Sequence, residues 1–194
     1  KKKLKDIKNI HFIQGDITKK IKIKNKFDFI SCDQVLHHTP NPEKTLKNLY
    51  SNLKKDGFLN FFVCKKKNSF RDFVDDQIMN FSRKMSPKQL WDFSEKITEF
   101  GRALYNLNIK NIKFNNQKYK SLQLFVHYNN FRCWYDPNID FNLSVSSNYD
   151  WFSNNPRYDV NDVRQFMKNA FNKYKLISLH EDNASISCSI RKLD

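Results

Sequence analysis

Glycine is the scarcity that shapes this chain of 194 residues, which has only Gly15, Gly57 and Gly101. No G-x-G pattern exists anywhere, so the residues given hold no glycine-rich loop able to press backbone N–H groups against a nucleotide. Long hydrophobic runs are also missing, and nothing approaches the roughly 18 apolar residues of a membrane-spanning helix. The start does not read as a secretory signal, because Lys1-Lys2-Lys3 leads into an amphipathic segment, not an apolar one. The four cysteines, Cys32, Cys64, Cys133 and Cys188, are scattered and form no C-x-x-C pair. That removes the usual zinc spacings and suits reduced thiols in a cytoplasmic protein. Internal repeats and low-complexity linkers are absent too, so one domain is the default at this length.

Lysine and aromatic residues are abundant. Lys and Arg number 35 against 20 Asp and Glu, for a net charge of +15. Such an excess attracts phosphates when it is clustered. Here it is spread over short runs at Lys1–Lys5, Lys19–Lys26 and Lys65–Lys67. Lys, Asn, Ile and Phe are all common, and A/T-rich codons specify all four. A solvated, lysine-rich surface follows more readily than a phosphate-tracking patch, and no aromatic signature for reading RNA bases is present. Nucleic acid is therefore a secondary partner class. With only 39% hydrophobic residues, the core must lean on 18 Phe, 8 Tyr and 3 Trp.

The chain divides by its periodicity. Leu4 and Ile7 among lysines suit the last turns of a helix over Lys1–Asn9. Ile10–Ile17 reads as a short strand ending in Gly15-Asp16, and Phe27–Cys32 as a second strand. Asn41-Pro42 opens a helix, with Asn41 as N-cap, Pro42 at its first position and Leu46, Leu49 and Leu53 facing a sheet. Lys54 and Lys55 suit its negative end and Gly57 its stop. The apolar run Phe58–Cys64 reads as a strand covered on both faces, completing a strand–helix–strand unit. Ligands of such sheets bind beyond the carboxyl ends of the strands, which groups Asp16, the Cys32-Asp33-Gln34 turn and the residues after Cys64.

From Asn68 to Asn155 that rhythm lapses. Ser86-Pro87 begins a helix with Leu90, Phe93, Ile97, Phe100 and Leu104 inward, and Tyr119–Tyr135 is a helical or irregular aromatic stretch. A helix over Arg157–Phe171 turns Val160, Val163, Phe166, Met167 and Ala170 inward. Two antiparallel strands then close the chain, Tyr174–Leu179 and Ala184–Lys192, with a short turn between them.

Several of these features, taken in order, resemble a known family. They are a strand ending Gly15-Asp16, the strand Phe27–Cys32 running into Val35-Leu36-His37-His38-Thr39, a helix closed near Asp56-Gly57, an apolar strand and a terminal antiparallel hairpin. This order resembles the second half of class I S-adenosylmethionine (SAM)-dependent methyltransferases of the type 11/12 kind. The resemblance covers most of residues 1–64 and 149–194. It implies an α/β fold: a Rossmann-like methyltransferase sheet, incomplete and lacking the first strands, with a terminal antiparallel strand and a helical insertion. Residues 1–67 are then the C-terminal part of the SAM-binding core, 68–156 a mainly helical insertion or substrate lid, and 157–194 the last helix and hairpin.

The resemblance also implies a cofactor, SAM, and a set of site residues. Asp16 corresponds to the acidic residue that accepts from the adenine amine, and Ile17 would pack on the ring. Cys32 and Asp33 fall beside the methionine part. His37 and His38 would stand at the methyl-transfer end as candidate catalytic bases. Related quinone-pathway O-methyltransferases place two glutamates and a histidine in this turn for a divalent metal. Here Gln34, His37 and His38 make a poor hard-cation site, so no metal is expected. Among the insertion's aromatics, Tyr128 and Trp151, together with Tyr158 just beyond, are the candidate substrate-binding residues.

The implied activity is methyl transfer to a hydroxyl or amine of a small molecule. The first strand, the glycine-rich loop and the acidic ribose-binding residue of that fold would all precede Lys1. The sequence is therefore expected to be a fragment that binds SAM feebly and is inactive as given. The alternatives are an RNA-binding or RNA-modifying module on the same fold, and an inactive methyltransferase-like fragment.

Overall fold

The computed structural model describes residues 9–20, 26–154 and 156–194. In chain order the first elements are β1 (Phe27–Cys32), α1 (Pro42–Ser51), β2 (Leu53–Cys64), α2 (Ser69–Ser82) and α3 (Pro87–Asn106). Then come β3 (Lys110–Phe114), β4 (Gln117–Ser121), α4 (Leu122–Asn129), α5 (Phe141–Asn154), α6 (Val160–Ala170), β5 (Tyr174–Glu181) and β6 (Ser185–Lys192). Four strands form one sheet in the order β1-β2-β6-β5, while β3 and β4 form a separate hairpin. β1 and β2 run parallel, and the last strand, β6, lies antiparallel between β2 and β5. This is the mixed α/β sheet with an inserted terminal antiparallel strand that the resemblance implied.

One face of the sheet is the core. Cross-strand rows such as Ile30–Leu59–Ile190 and Cys32–Phe61–Cys188 put apolar side chains side by side, and α1 and α6 cover them with Leu46, Val163 and Met167. Asn41 caps α1 by accepting from Lys44 N–H at 2.8 Å, with Pro42 in the first turn. α6 begins at Val160, inside the expected Arg157–Phe171 span. There Asp159 and Asp162 form a reciprocal capping box, and the N–H of Phe171 closes on Met167.

Several expectations are corrected. Ile10–Ile17 forms no strand: no described residue pairs with it, and Phe12 and Ile13 are 54% and 67% exposed. An apolar run becomes a strand only where a neighbour completes its ladder of hydrogen bonds. Of the expected helical turns over Lys1–Asn9, all but Asn9 lie outside the described residues. Lys54, Lys55 and Gly57 do not end α1, which stops at Ser51; they belong to β2. The register jumps there, from Phe27 opposite Leu53 to Phe29 opposite Phe58, so the strand bulges. A Cβ on Gly57 would meet the carbonyl oxygens of Phe27, Asp28 and Lys54 at 3.1 Å each, so close backbone approach is what glycine serves here.

The run Phe58–Cys64 is fully buried along one face and only in part along the other, where Cys64 joins a second cluster. Leu59, Phe61 and Val63 point into the core, whereas Phe58 is 39% exposed and Asn60 and Phe62 are half-buried.

Between β2 and α6 lies a mainly helical segment, expected as an insertion, with a second apolar cluster of Cys64, Met79, Leu90, Trp151 and Phe152. α3 starts at Ser86 with a complete capping box, as its Ser-Pro signal predicted. Its inward stripe is shifted from the expected one: Leu90, Ser94, Thr98 and Gly101 are buried, and Phe100 is 44% exposed. Small residues allow the chain near Cys133 to approach the helix closely. The expected helical or irregular stretch Tyr119–Tyr135 begins instead within the β3–β4 hairpin. Asn115 and Asn116 make its turn at φ 45° and 61°, the left-handed pair a two-residue hairpin requires.

Candidate active site

The site is built at the carboxyl end of the parallel pair. Beyond Cys32 the chain bends through Gln34, held at φ 53° in the left-handed region. It then makes a single 3-10 turn, Leu36–His38. Leu36 is fully buried and anchors this turn in the core, while the Thr39 hydroxyl donates to the Leu36 carbonyl at 2.7 Å. His37 is thereby turned inward at 3% exposure, and His38 stays exposed with its ring 4.2 Å from that of His37. Burial, and then the neighbouring His38, push the His37 pKa down to about 4, while a backbone group of Phe62 pulls the other way. His37 is therefore neutral at pH 7. Burial and the Asp33 charge raise the Cys32 thiol, which stays protonated and packs in the core.

The second wall comes from the loop after β2. Asn68 caps α2 by accepting from Arg71 N–H at 2.8 Å, and Lys67 N–H donates to Asp72 at 2.9 Å. These bonds fix Lys67 and Arg71 over the carboxyl end of the sheet. The helical insertion supplies the rest. A cavity of about 240 Å³ is bounded by Gln34, His37, His38 and Phe62 on the sheet side, and by Lys67, Arg71, His127, Tyr128, Arg132 and Trp151 on the other. Behind it Asp75, fully buried, pairs with Arg71 Nε at 2.9 Å. It also accepts from Trp151 Nε1 at 3.1 Å and from Arg132 N–H at 3.2 Å. The guanidinium carbons of Arg71, Arg132 and Arg157 stand 5.7, 4.7 and 5.8 Å from the Trp151 ring. Burial and the Arg71 charge lower Lys67 to about 8. Burial also leads the causes that hold His127 well below its usual range, with the Arg132, Arg71 and Lys67 charges acting the same way.

The sequence-derived candidates separate accordingly. His37, His38, Tyr128 and Trp151 share this cavity. Cys32 and Asp33 line a neighbouring cavity of about 280 Å³ on the more open face of the sheet, with Asn60, Phe62 and His180. The Asp16 carboxylate is engaged locally, accepting from Thr18 N–H and the Thr18 hydroxyl at 2.9 and 2.6 Å. The Ile17 carbonyl accepts from Asn48 of α1 at 3.2 Å. Tyr158 lies outside both cavity walls. Its backbone pairs with Cys64 and Lys66, extending the sheet edge, and its ring packs on Phe166 with centroids 5.1 Å apart.

Sequence reading missed Arg71, His127 and Arg132, and reached Lys67 only as one of the residues after Cys64. A faint signal existed: Arg71 and Asp75 are four apart in a stretch that begins at an Asn cap, a spacing that pairs charges on one helix face.

The fold is an α/β unit with its cavity at the carboxyl end of a parallel strand pair. Residues 1–86 match the family model of a methyltransferase domain. That span holds the Gly15-Asp16, Phe27–Cys32, His37-His38 and Asp56-Gly57 features, so the resemblance to class I methyltransferases holds over this part of the chain. Among solved structures the chain is similar to a S-adenosylmethionine-dependent methyltransferase from Clostridium acetobutylicum ATCC 824, at 11% identity and a TM-score of 0.41. The alignment covers 93% of this chain and 63% of that one, a likeness too distant to carry an argument. No curated protein matches the sequence. Among the described residues no helix is long and apolar enough to cross a membrane.

Proposed function

We propose that this chain contributes the acceptor side of a SAM-dependent methyltransferase acting on a hydroxyl or amine of a small molecule. The observation that carries this reading is the cavity at the carboxyl end of β1 and β2, where His37 and His38 face the aromatic and cationic residues of the insertion. Methyl transfer from a sulfonium is an in-line displacement. Alignment of nucleophile, methyl carbon and sulfur supplies up to roughly 7–11 kcal/mol of the rate enhancement, and the protein needs little covalent chemistry. It does need a group to take the proton of the attacking hydroxyl or amine. His37, held neutral by burial, has too low a proton affinity to do this well. The base is therefore His38, on the exposed side of the pair, and His37 fixes its orientation through their ring contact.

Part of the donor set suits the cofactor. Asp33, exposed just past β1, can hold the ammonium of the methionine part. The buried Asn60 Oδ1, which has no hydrogen-bond partner among the described residues, borders the same cavity. When bound, SAM supplies the electrophilic methyl group. The assignment of Asp16 and Ile17 to the adenine rests on the family resemblance alone. The test is a His38→Ala variant of the full-length protein, assayed for turnover alongside calorimetric SAM titration. Turnover should fall about 10²- to 10⁴-fold with SAM affinity nearly unchanged. Unaltered turnover removes His38 from the mechanism.

A further inference from the structure

Arg71 has no exposed surface, yet its side chain forms part of the cavity wall. Its Nε faces Asp75 at 2.9 Å, but Nη1 and Nη2 meet no acceptor among the described residues. A buried guanidinium normally finds partners for its N–H groups, because each one left unpaired has lost water without replacement. Asp75 does not meet this need. Its Oδ2 already serves Arg71 Nε and Trp151 Nε1, and its Oδ1 accepts from Arg132 N–H. The ion pair with Asp75 brings Nε to 2.9 Å without an aligned hydrogen bond, and the guanidinium's paired terminal donors have no acceptor at all among the described residues.

The charge around the cavity points the same way. Lys67, Arg71 and Arg132 line it against Asp150, with Asp75 behind. The lining cations outnumber Asp150, and Asp75 is shared with Arg157, whose Nη1 lies 3.7 Å from Oδ2, so the cavity favours an anion. Two free N–H groups on one planar fork match the two oxygens of a carboxylate better than any single-point acceptor. Phe62, Tyr128 and Trp151 supply the apolar walls that hold the remainder of a small ligand.

We infer that this cavity is a carboxylate pocket in which Arg71 receives the ligand's two oxygens through Nη1 and Nη2. Resting on the methyl-transfer reading, this makes the acceptor a small carboxylate-bearing alcohol or amine, anchored at Arg71 with its nucleophile toward His38. Lys67 and Arg132 add field to the pocket without reproducing the fork. Lys67 already donates to the Asn183 carbonyl at 2.6 Å. Arg132 is held by Asn148 at 2.9 Å and by the Ser147 hydroxyl at 2.6 Å.

The test needs neither SAM nor turnover, so it can fail independently of the functional reading. Benzoate, its uncharged isostere benzamide, and inorganic phosphate are titrated into the whole chain. Binding is followed by tryptophan fluorescence, since Trp151 borders the cavity, and by calorimetry. Benzoate is expected to bind at least tenfold tighter than benzamide and tighter than phosphate. Arg71→Lys, which keeps the charge and removes the fork, should weaken benzoate at least tenfold. An Arg71→Met/Asp75→Asn pair, which removes both charges together, should abolish the preference for benzoate over benzamide. Equal binding of benzoate and benzamide, tighter binding of phosphate, or an Arg71→Lys variant that keeps its benzoate affinity each overturns the assignment. If either variant fails to fold, the comparison of benzoate with benzamide on the unaltered chain still decides the matter.

Discussion

Acid should destabilise this fold earlier than its carboxylates alone would dictate, and His37 is one reason. Its pKa falls from the ordinary 6.5 to about 4 on burial beside His38. The unfolded chain therefore binds a proton between those values that the folded chain refuses, so stability rises with pH across that window and is lost on acidification. Because His37 is 3% exposed, solvent screening removes little of the effect. The difference in proton uptake between pH 7 and pH 4.5 destabilises the fold by about 2 kcal/mol for this one group. His127, also buried and lowered, adds loss of the same sign.

The assay is urea unfolding at pH 7.0, 6.0, 5.0 and 4.5, with the free energy extrapolated at each pH, on the unaltered chain and on His37→Gln. The variant cannot gain the proton, so its stability should fall less on acidification, by about 2 kcal/mol over the range. Parallel pH profiles for the two proteins would refute the reasoning, because they would mean that His37 accepts its proton equally in both states.

Two substitutions in the insertion test its packing. Gly101→Ala should destabilise, against the gain of about 1 kcal/mol that helix propensity alone gives. The new Cβ would stand 2.4 Å from the Cys133 carbonyl oxygen, which also accepts from Gln123 at 2.8 Å. A net loss of about 1–3 kcal/mol is expected, and a raised thermal midpoint contradicts it. Asn148→Ala removes the partner of Arg132 Nε, Trp134 N–H, Thr98 Oγ1 and the Trp134 carbonyl together. It should lose more than about 2 kcal/mol by chemical denaturation, and a loss below 0.5 kcal/mol would show that this hub is not essential to the packing.

What the sequence alone settled was local or strictly periodic. Asn41-Pro42 and Ser86-Pro87 mark helix starts because their chemistry acts within one turn. Ile186, Cys188 and Ile190 alternate with serines, and that period places them on one face of a strand wherever the strand lies. The order of these pieces was enough to suggest the class of fold and to single out His37 and His38. Tertiary structure decided whatever required a partner distant in the chain. Ile10–Ile17 has the composition of a strand and no described neighbour to complete it. Gly57 reads as a helix stop, and only the approach of the Phe27 and Asp28 carbonyls shows that it serves a bulge. Arg71, Arg132 and Lys67 look like three more members of a basic surface. Only the packing of the helical segment on the sheet draws them out of water and buries Arg71 at a cavity wall, because burial and charge pairing are properties of neighbours in space.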